Sequence, residues 1–425
     1  MGKALTWREN TLLAHDQQVR PWHQVDVVLL DREIYPDDIA IRIAQRLDYV
    51  PRGRQVVVPT ITGPAWVDDL GFDVHRHIHP TRVEGVTALP ALVANALSAS
   101  MSRAKPLWDV AVATGLGGGR SALIVRAHHA LVDGLDHVHL LGELLDEYPT
   151  PILGPMPDWE PAPEPDVTAE PLAALTRGVK NPLGMLGSLG AGLSGAVDGV
   201  WRRATASAQP RYAGGIEVGL EPVRRVRTSF ATSTHDVLLA LAAAAIRRWR
   251  EANGEPLTDP VALVPQAVVA QDVLASAVGC RVVPQWLTMP VRQPDPEERL
   301  REIASLTRAR TDAGDTVKAG ELASLIGFAP PTLHALAAGT VTGGQPHHVL
   351  IANAPGPRTK RYFGEALVRG TYTLPSLTDS QRVGIGITSY DSRVWFGVCA
   401  DAPTGPLTDG ITAALAELLA LAGER

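Results

Sequence analysis

Only two cysteines, Cys280 and Cys399, occur in 425 residues. That is too few for a disulfide framework, and they lack the clustering of a zinc site. The pattern predicts a reducing compartment and no bound metal. Aromatic residues are scarce at 5% and the formal net charge is −6, with no run of Lys and Arg interleaved with aromatics, so no basic field awaits a phosphate backbone. Nucleic acid is therefore not an expected partner. Also missing is an uninterrupted apolar run of roughly 18 residues, the length a membrane-spanning helix needs. The first ten residues carry charge where a secretory signal would place its apolar stretch. These absences predict a cytoplasmic protein whose membrane contact is peripheral.

What is present is an ordinary globular composition, 45% hydrophobic and 20% charged, in a chain long enough for two cores of about 200 residues each. Ile39, Ile43 and Leu47 recur at helical spacing behind Pro36-Asp37-Asp38, which predicts a capped helix. Gln55 to Val58 reads as a strand and Ala91 to Met101 as a helix. Leu107 to Ala113 and Ser121 to Ala127 read as two strands joined through the glycine cluster Gly115 to Gly119. After Gly134, the spacing of Val138, Leu141 and Leu145 predicts a helix over 135–145. Prolines 151, 155, 157, 161, 163 and 165 then mark a boundary that no helix or central strand would tolerate. The expected division is a first domain over 1–150, a Pro-rich then Gly/Leu-rich linker over 151–215, and a second domain over 216–425. In the second domain Ser233 to Asp236 has the pattern of a capped helix start, with Asn253-Gly254 as its stop. Strands are expected at 261–264, 281–288, 349–352, 383–388 and 394–399. Helices are expected at 296–310, 321–327 and 407–421.

One segment carries chemistry. His128-His129-Ala130-Leu131-Val132-Asp133-Gly134 comes directly after a predicted strand and precedes a predicted helix. Adjacent histidines on a strand point to opposite sides, so one can face a channel while the other packs inward. Asp133 can hold the turn by hydrogen bonds, and Gly134 permits backbone conformations closed to other residues. An alcohol attacking a thioester must shed a proton, and an imidazole titrating near neutrality is the side chain suited to take it. No Gly-x-Ser-x-Gly elbow and no reactive cysteine motif is present, so a covalent acyl-enzyme is not expected. His75, His77 and His79 would share one face of a strand, but without acidic or cysteine partners they do not predict a metal site. Trp108, beside Pro106, is a candidate substrate contact set against ordinary core packing.

The histidine segment resembles the His-His-x-x-x-Asp-Gly signature of the CoA-dependent acyltransferase superfamily. More narrowly the chain resembles the bacterial wax ester synthase/diacylglycerol acyltransferase family, through Lys105-Pro106-Leu107-Trp108-Asp109, Asn353-Ala354-Pro355-Gly356-Pro357, Ser389-Tyr390 and Phe396-Gly397. The resemblance implies an α/β fold of two chloramphenicol-acetyltransferase-like domains with the active-site channel between them. It implies His129 as the catalytic base, with His128, Asp133 and Gly134 completing the motif and Asp133 mainly structural. It further implies supporting roles for Trp108, His235, Asp236 and Asn353, with His235 standing where the family usually has asparagine. The implied reaction moves an acyl group from acyl-CoA, a co-substrate with no bound cofactor, to a hydroxyl acceptor such as diacylglycerol or a long-chain alcohol. The implied setting is the cytoplasm, at the surface of the inner membrane or of lipid droplets. Two alternatives stay open at this point: an acyltransferase tailoring a specialised metabolite, and a weakly catalytic relative that binds lipid or acyl-CoA.

Overall fold

The computed structural model describes residues 3–6, 9–10, 12–13, 21–60, 63–131, 144–149, 158–162, 211–269, 280–311, 348–377 and 381–424. In chain order the strands are β1 Lys3–Ala4, β2 His23–Leu30, β3 Gln55–Val58, β4 Ala65–Asp68, β5 Ile78–Arg82, β6 Trp108–Thr114, β7 Ser121–His128, β8 Tyr212–Gly219, β9 Val261–Val269 and β10 Cys280–Thr288. They continue with β11 Val349–Pro355, β12 Tyr362–Phe363, β13 Ala366–Leu374, β14 Val383–Tyr390 and β15 Arg393–Ala400. The α-helices are α1 Pro36–Arg46, α2 Leu89–Ser98, α3 Leu220–Ser229, α4 Thr234–Ala252, α5 Pro296–Thr311 and α6 Gly405–Gly423.

Local chemistry accounts for several of these elements. In α1, Pro36 opens the first turn with Asp37 and Asp38 behind it, where the helix dipole favours negative charge, and Ile39, Ala40 and Ile43 turn inward. In α4, Ser233 Oγ accepts from the Asp236 N–H while the Asp236 carboxylate accepts from the Ser233 N–H, a reciprocal cap. Its run Ala242 to Ala245 is wholly buried. Between β6 and β7, Gly117, Gly118 and Gly119 all have positive φ, which lets the two strands turn back and pair from Trp108 opposite Ala127 to Ala113 opposite Ala122. Of the predicted helix over 135–145, residues 135–143 fall outside the described residues, as do residues 151–157 and 163–210 of the linker expected over 151–215 and the whole of the helix expected over 321–327.

Two six-stranded sheets dominate, each over its own core. One runs β10-β9-β11-β14-β15-β8 and the other β12-β13-β2-β7-β6-β5. The core under the first joins α4 and α6 to β14 and β15, with Leu239, Leu241, Ile385, Phe396, Ile411 and Leu418 in it. The other holds Val25, Val27, Ile39, Ile43, Val110, Leu123 and Val125. The second sheet crosses the expected division of the chain, because β13 pairs antiparallel with β2, placing Thr373 opposite Asp26 and Leu374 opposite Val25. The two halves are further fastened where Arg42 and Arg46 both reach the Asp146 carboxylate and Asp146 bridges to Tyr362.

One expectation fails outright. His75 and His77 do not share a strand face with His79, because residues Val74–His77 form a 3₁₀ turn capped by the Asp73 side chain and only His79 lies on β5. Among the described residues one helix, Gly405–Gly423, is long and apolar enough to cross a membrane by length and composition. It instead lays Leu407, Ile411, Ala414, Leu415 and Leu418 into the core that it shares with α4.

Candidate active site

β7 delivers the two histidines. Its last residue, His128, pairs with His23 on β2, and both rings are buried at 1% exposure. His23 Nε2 donates to the Ala96 carbonyl on α2. His128 Nδ1 accepts from the Ala130 N–H at 3.0 Å, and the His128 carbonyl accepts from the Leu131 N–H. The His128 ring thus ties down the turn at the end of the strand. Asp133 and Gly134 lie outside the described residues.

His129 points the other way. Its N–H donates to the Trp22 carbonyl at 3.2 Å, and the Trp22 ring meets its imidazole edge-on with centroids 6.4 Å apart. His129 Nε2 stands 2.7 Å from Ser376 Oγ. Ser376 comes from the segment just past β13, so the strand that crosses between the halves brings a hydroxyl to the imidazole. A cavity of about 10 Å³, room for about one water, is lined there by Ser376, Arg211, Leu97 and Cys399. The Cys399 thiol is pushed up to about 12 by burial, so it stays protonated and inert. A larger cavity of about 400 Å³ involves Leu30 and Ser121, the opposite ends of β2 and β7, and so belongs to a different part of the molecule.

A second cluster gathers in the other sheet. His235 Nδ1 lies 2.8 Å from Asn353 Nδ2, joining the start of α4 to β11. With the amide donating, Nδ1 is an acceptor and the ring is neutral. Burial lowers the His235 pKa, and the neighbouring Asp236 opposes this. The Asp236 carboxylate accepts from Thr232 Oγ1 at 2.9 Å, the Ser233 N–H at 3.0 Å and Thr307 Oγ1 at 2.6 Å. Burial alone would raise its pKa, but these donors outweigh burial and hold it below the usual carboxylate value. Asp236 is thereby committed to capping α4 and fastening it to α5.

Trp108 joins neither cluster. It is fully buried, its indole N–H donates to the Gly53 carbonyl at 2.7 Å, and His77 stacks on it at 4.2 Å. Burial pushes the His77 pKa down to about 4, against the pull of its bond to the Trp108 carbonyl. These contacts describe a core tryptophan.

The chain matches the model of the wax ester synthase/diacylglycerol acyltransferase catalytic domain over residues 10–238 and that of the WS/DGAT C-terminal domain over residues 279–421. The chain belongs to the wax ester synthase/diacylglycerol acyltransferase family. Its activity class is acyl-CoA-dependent O-acyl transfer. A Mycobacterium tuberculosis protein described as a diacylglycerol O-acyltransferase is 28% identical, over 94% of this chain and 93% of that one. The fold resembles the wax ester synthase/diacylglycerol acyltransferase of Marinobacter aquaeolei VT8, with TM-score 0.69 and 23% identity over 99% and 100% of the two chains. It also resembles a starter condensation domain of rhizomide synthetase in complex with C8-CoA, with TM-score 0.52 and 13% identity over 100% and 95%. Among the residues around the imidazole, Ser376 and Trp22 were not singled out from sequence. Both are distant from the signature along the chain, and neither sits in a motif of its own.

Proposed function

We propose that His129 is the general base of the acyl transfer. The observation that carries this is the buried His129 imidazole with Nε2 at 2.7 Å from a hydroxyl oxygen, Ser376 Oγ, which is the distance at which a base takes a proton from an alcohol. In the reaction an acceptor hydroxyl takes up that hydrogen bond and gives its proton to Nε2 as its oxygen attacks the thioester carbonyl. The tetrahedral intermediate then collapses, the carbon–sulfur bond breaks, and the leaving CoA thiolate takes the proton from the imidazolium. His128, occupied with the Ala130 N–H, holds the turn. Asp133 and Gly134 are proposed to shape the chain beyond that turn. His235, Asp236 and Asn353 support the scaffold of the second half.

The proposed donor is acyl-CoA, used without a resident cofactor, and the proposed acceptor is diacylglycerol or a long-chain alcohol. Such substrates partition into lipid, which supports a cytoplasmic enzyme working peripherally at a membrane or lipid-droplet surface. The division into domains over 1–150 and 216–425 joined by a linker over 151–215 is part of the same reading, with β12 and β13 as the strands that cross it. The test is CoA thiol release from acyl-CoA against a panel of alcohols. Release that depends on a long-chain alcohol or diacylglycerol supports the reading, and release with neither defeats it.

One observation favours a second reading. A serine hydroxyl within hydrogen-bond reach of an imidazole is also the arrangement of an activated nucleophile, so Ser376 could carry the acyl group between donor and acceptor. The two readings part on whether Ser376→Ala retains turnover.

A further inference from the structure

Gln24 and Asp26 share one face of β2, and Trp22, directly before the strand, continues the same alternation. At the head of this row stands His129, bound to the Trp22 carbonyl and touching its ring. Behind it, Gln24 and Asp26 are both 0% exposed. Gln24 Nε2 donates to Asp26 Oδ2 at 2.9 Å, and Thr373 Oγ1 donates to Asp26 Oδ1 at 2.6 Å. Thr373 lies three residues before Ser376, the partner of His129. The carboxyl is therefore tied to both segments that touch the imidazole.

A carboxyl buried without a cation is costly to keep ionised. Burial pushes Asp26 up to about 7 against the opposing bonds from Thr373 and Gln24, and among the described residues no charged side chain contributes. Of the elements on β2, β7 offers Arg126 and His128, and β13 offers Arg369 and Tyr372. Arg126 and His128 sit opposite Val25 and His23, and Tyr372 sits opposite Val27, so these three lie on the other face. Arg369 falls at the irregularity between Val368 and Gly370 and is exposed. The helix α2 lies on that other face too, where the His23 ring and Arg126 both reach its Ala96 carbonyl. A polar row inside an apolar core, with no countercharge among the described residues, is not what packing alone would select.

We propose that Asp26 is a positioning residue of the acyl-transfer site, clamping Trp22 through Gln24 and Ser376 through Thr373 so that His129 keeps its reactive orientation. The proposal rests on the reading of His129 as the base. Ionised, Asp26 accepts from both donors; protonated, it carries a proton of its own that needs an acceptor, so one of the two bonds must rearrange. Titration near neutrality thus loosens one side of the clamp, and turnover acquires a limb in that range.

The test is Asp26→Asn, which keeps the shape and removes the charge, measured as kcat, KM and the pH profile of kcat. The expected result is a fall in kcat of roughly tenfold, within the hundredfold that a misplacement of about 1 Å can cost, with KM for acyl-CoA unchanged and the limb near pH 7 abolished. If Asp26→Asn does not fold, Thr373→Val takes its place, with the same fall in kcat expected and the limb moved to higher pH, because the lost donor had held the Asp26 carboxyl down. Wild-type kcat and an unaltered pH profile in the folded variant overturn the proposal. His129→Ala separates the two claims: if it retains turnover the base assignment fails, whereas an inactive His129→Ala beside a wild-type-like Asp26→Asn defeats the clamp alone.

Discussion

The two halves of the molecule each hold a histidine beside a polar side chain and a buried aspartate, and under the proposed function only one of these histidines takes part in the chemistry. In the first half the partner of His129 is the hydroxyl of Ser376, a rotor that can give way to another hydroxyl. In the second half the partner of His235 is the amide of Asn353, anchored on β11 against a helix start. The carboxylates differ in the same sense. Asp26 has two neutral donors and is pushed up to about 7 by burial, while three donors hold Asp236 below its usual range despite burial. Asp26 is both the more deeply buried and the one with fewer donors, which leaves it able to titrate while Asp236 is a fixed strut.

The sharpest way to break this comparison is His129→Ala. General-base assistance contributes about 10²–10⁴ in rate, so kcat/KM for the cognate alcohol is expected to fall by about that factor while circular dichroism and the melting temperature stay near wild type. The matching change in the other half, His235→Ala, is expected to cost far less. Equal losses would mean that the two clusters form one catalytic unit.

Next in size is Ser376→Ala. If Ser376 only marks the place of the acceptor hydroxyl, turnover falls by less than about tenfold, the range of one neutral hydrogen bond of about 1 kcal/mol. If it carries the acyl group, turnover falls as far as in His129→Ala. Mass spectrometry of the enzyme mixed with acyl-CoA in the absence of alcohol then reports an acyl adduct in wild type that is missing from the variant.

The reach of sequence reasoning runs along the same line between local and distant. The Ser233 and Asp236 cap is a pattern over four residues, and it forms as expected. The β6–β7 hairpin was legible because glycines announce a turn whose strands are neighbours in the chain. β2 escaped notice because nearly every residue in it is buried, so its alternation is hidden. β13 pairs with a strand more than 300 residues earlier, and no local signal encodes such a partner. Ser376 reaches His129 across 247 positions for the same reason. The His75–His79 alternation misled because period-two spacing by itself does not make a strand, and an Asp73 cap tightens the segment into a 3₁₀ turn instead.

A third change should move stability and leave chemistry alone. Asp236→Ala strips the acceptor from Thr232, Ser233 and Thr307 and undoes the cap of α4, at a cost of about 1–3 kcal/mol. At roughly 2–4 °C per kcal/mol for a domain of this size, the melting temperature should fall by several degrees. Turnover measured well below that temperature should stay within about threefold of wild type, since a strut lost in the second half leaves Nε2 of His129 where it was. A large fall in kcat in protein that is still folded would show that the second cluster acts on the reaction directly.

The smallest expected effect is that of His235→Asn, and it is visible only as a dependence on pH. Burial lowers the His235 pKa in the folded protein, while the unfolded chain keeps the ordinary value near 6.5. Below that value the unfolded state binds a proton that the folded state refuses, so the stability tied to neutral His235 is complete above about pH 6.5 and drains away as the pH falls toward the folded pKa. Asparagine keeps an amide at the same place and has nothing to titrate. Wild type and His235→Asn should therefore melt at similar temperatures at pH 8, and the variant should lose less on going to pH 5. Asp236 beside it is depressed as well, but it drains stability only below its own unfolded pKa of about 4, so a comparison between pH 8 and pH 5 isolates the histidine. If the two proteins lose the same number of degrees between those pH values, then Asn353 does not meet a neutral imidazole, and the contrast between a fixed and a reactive histidine loses its second member.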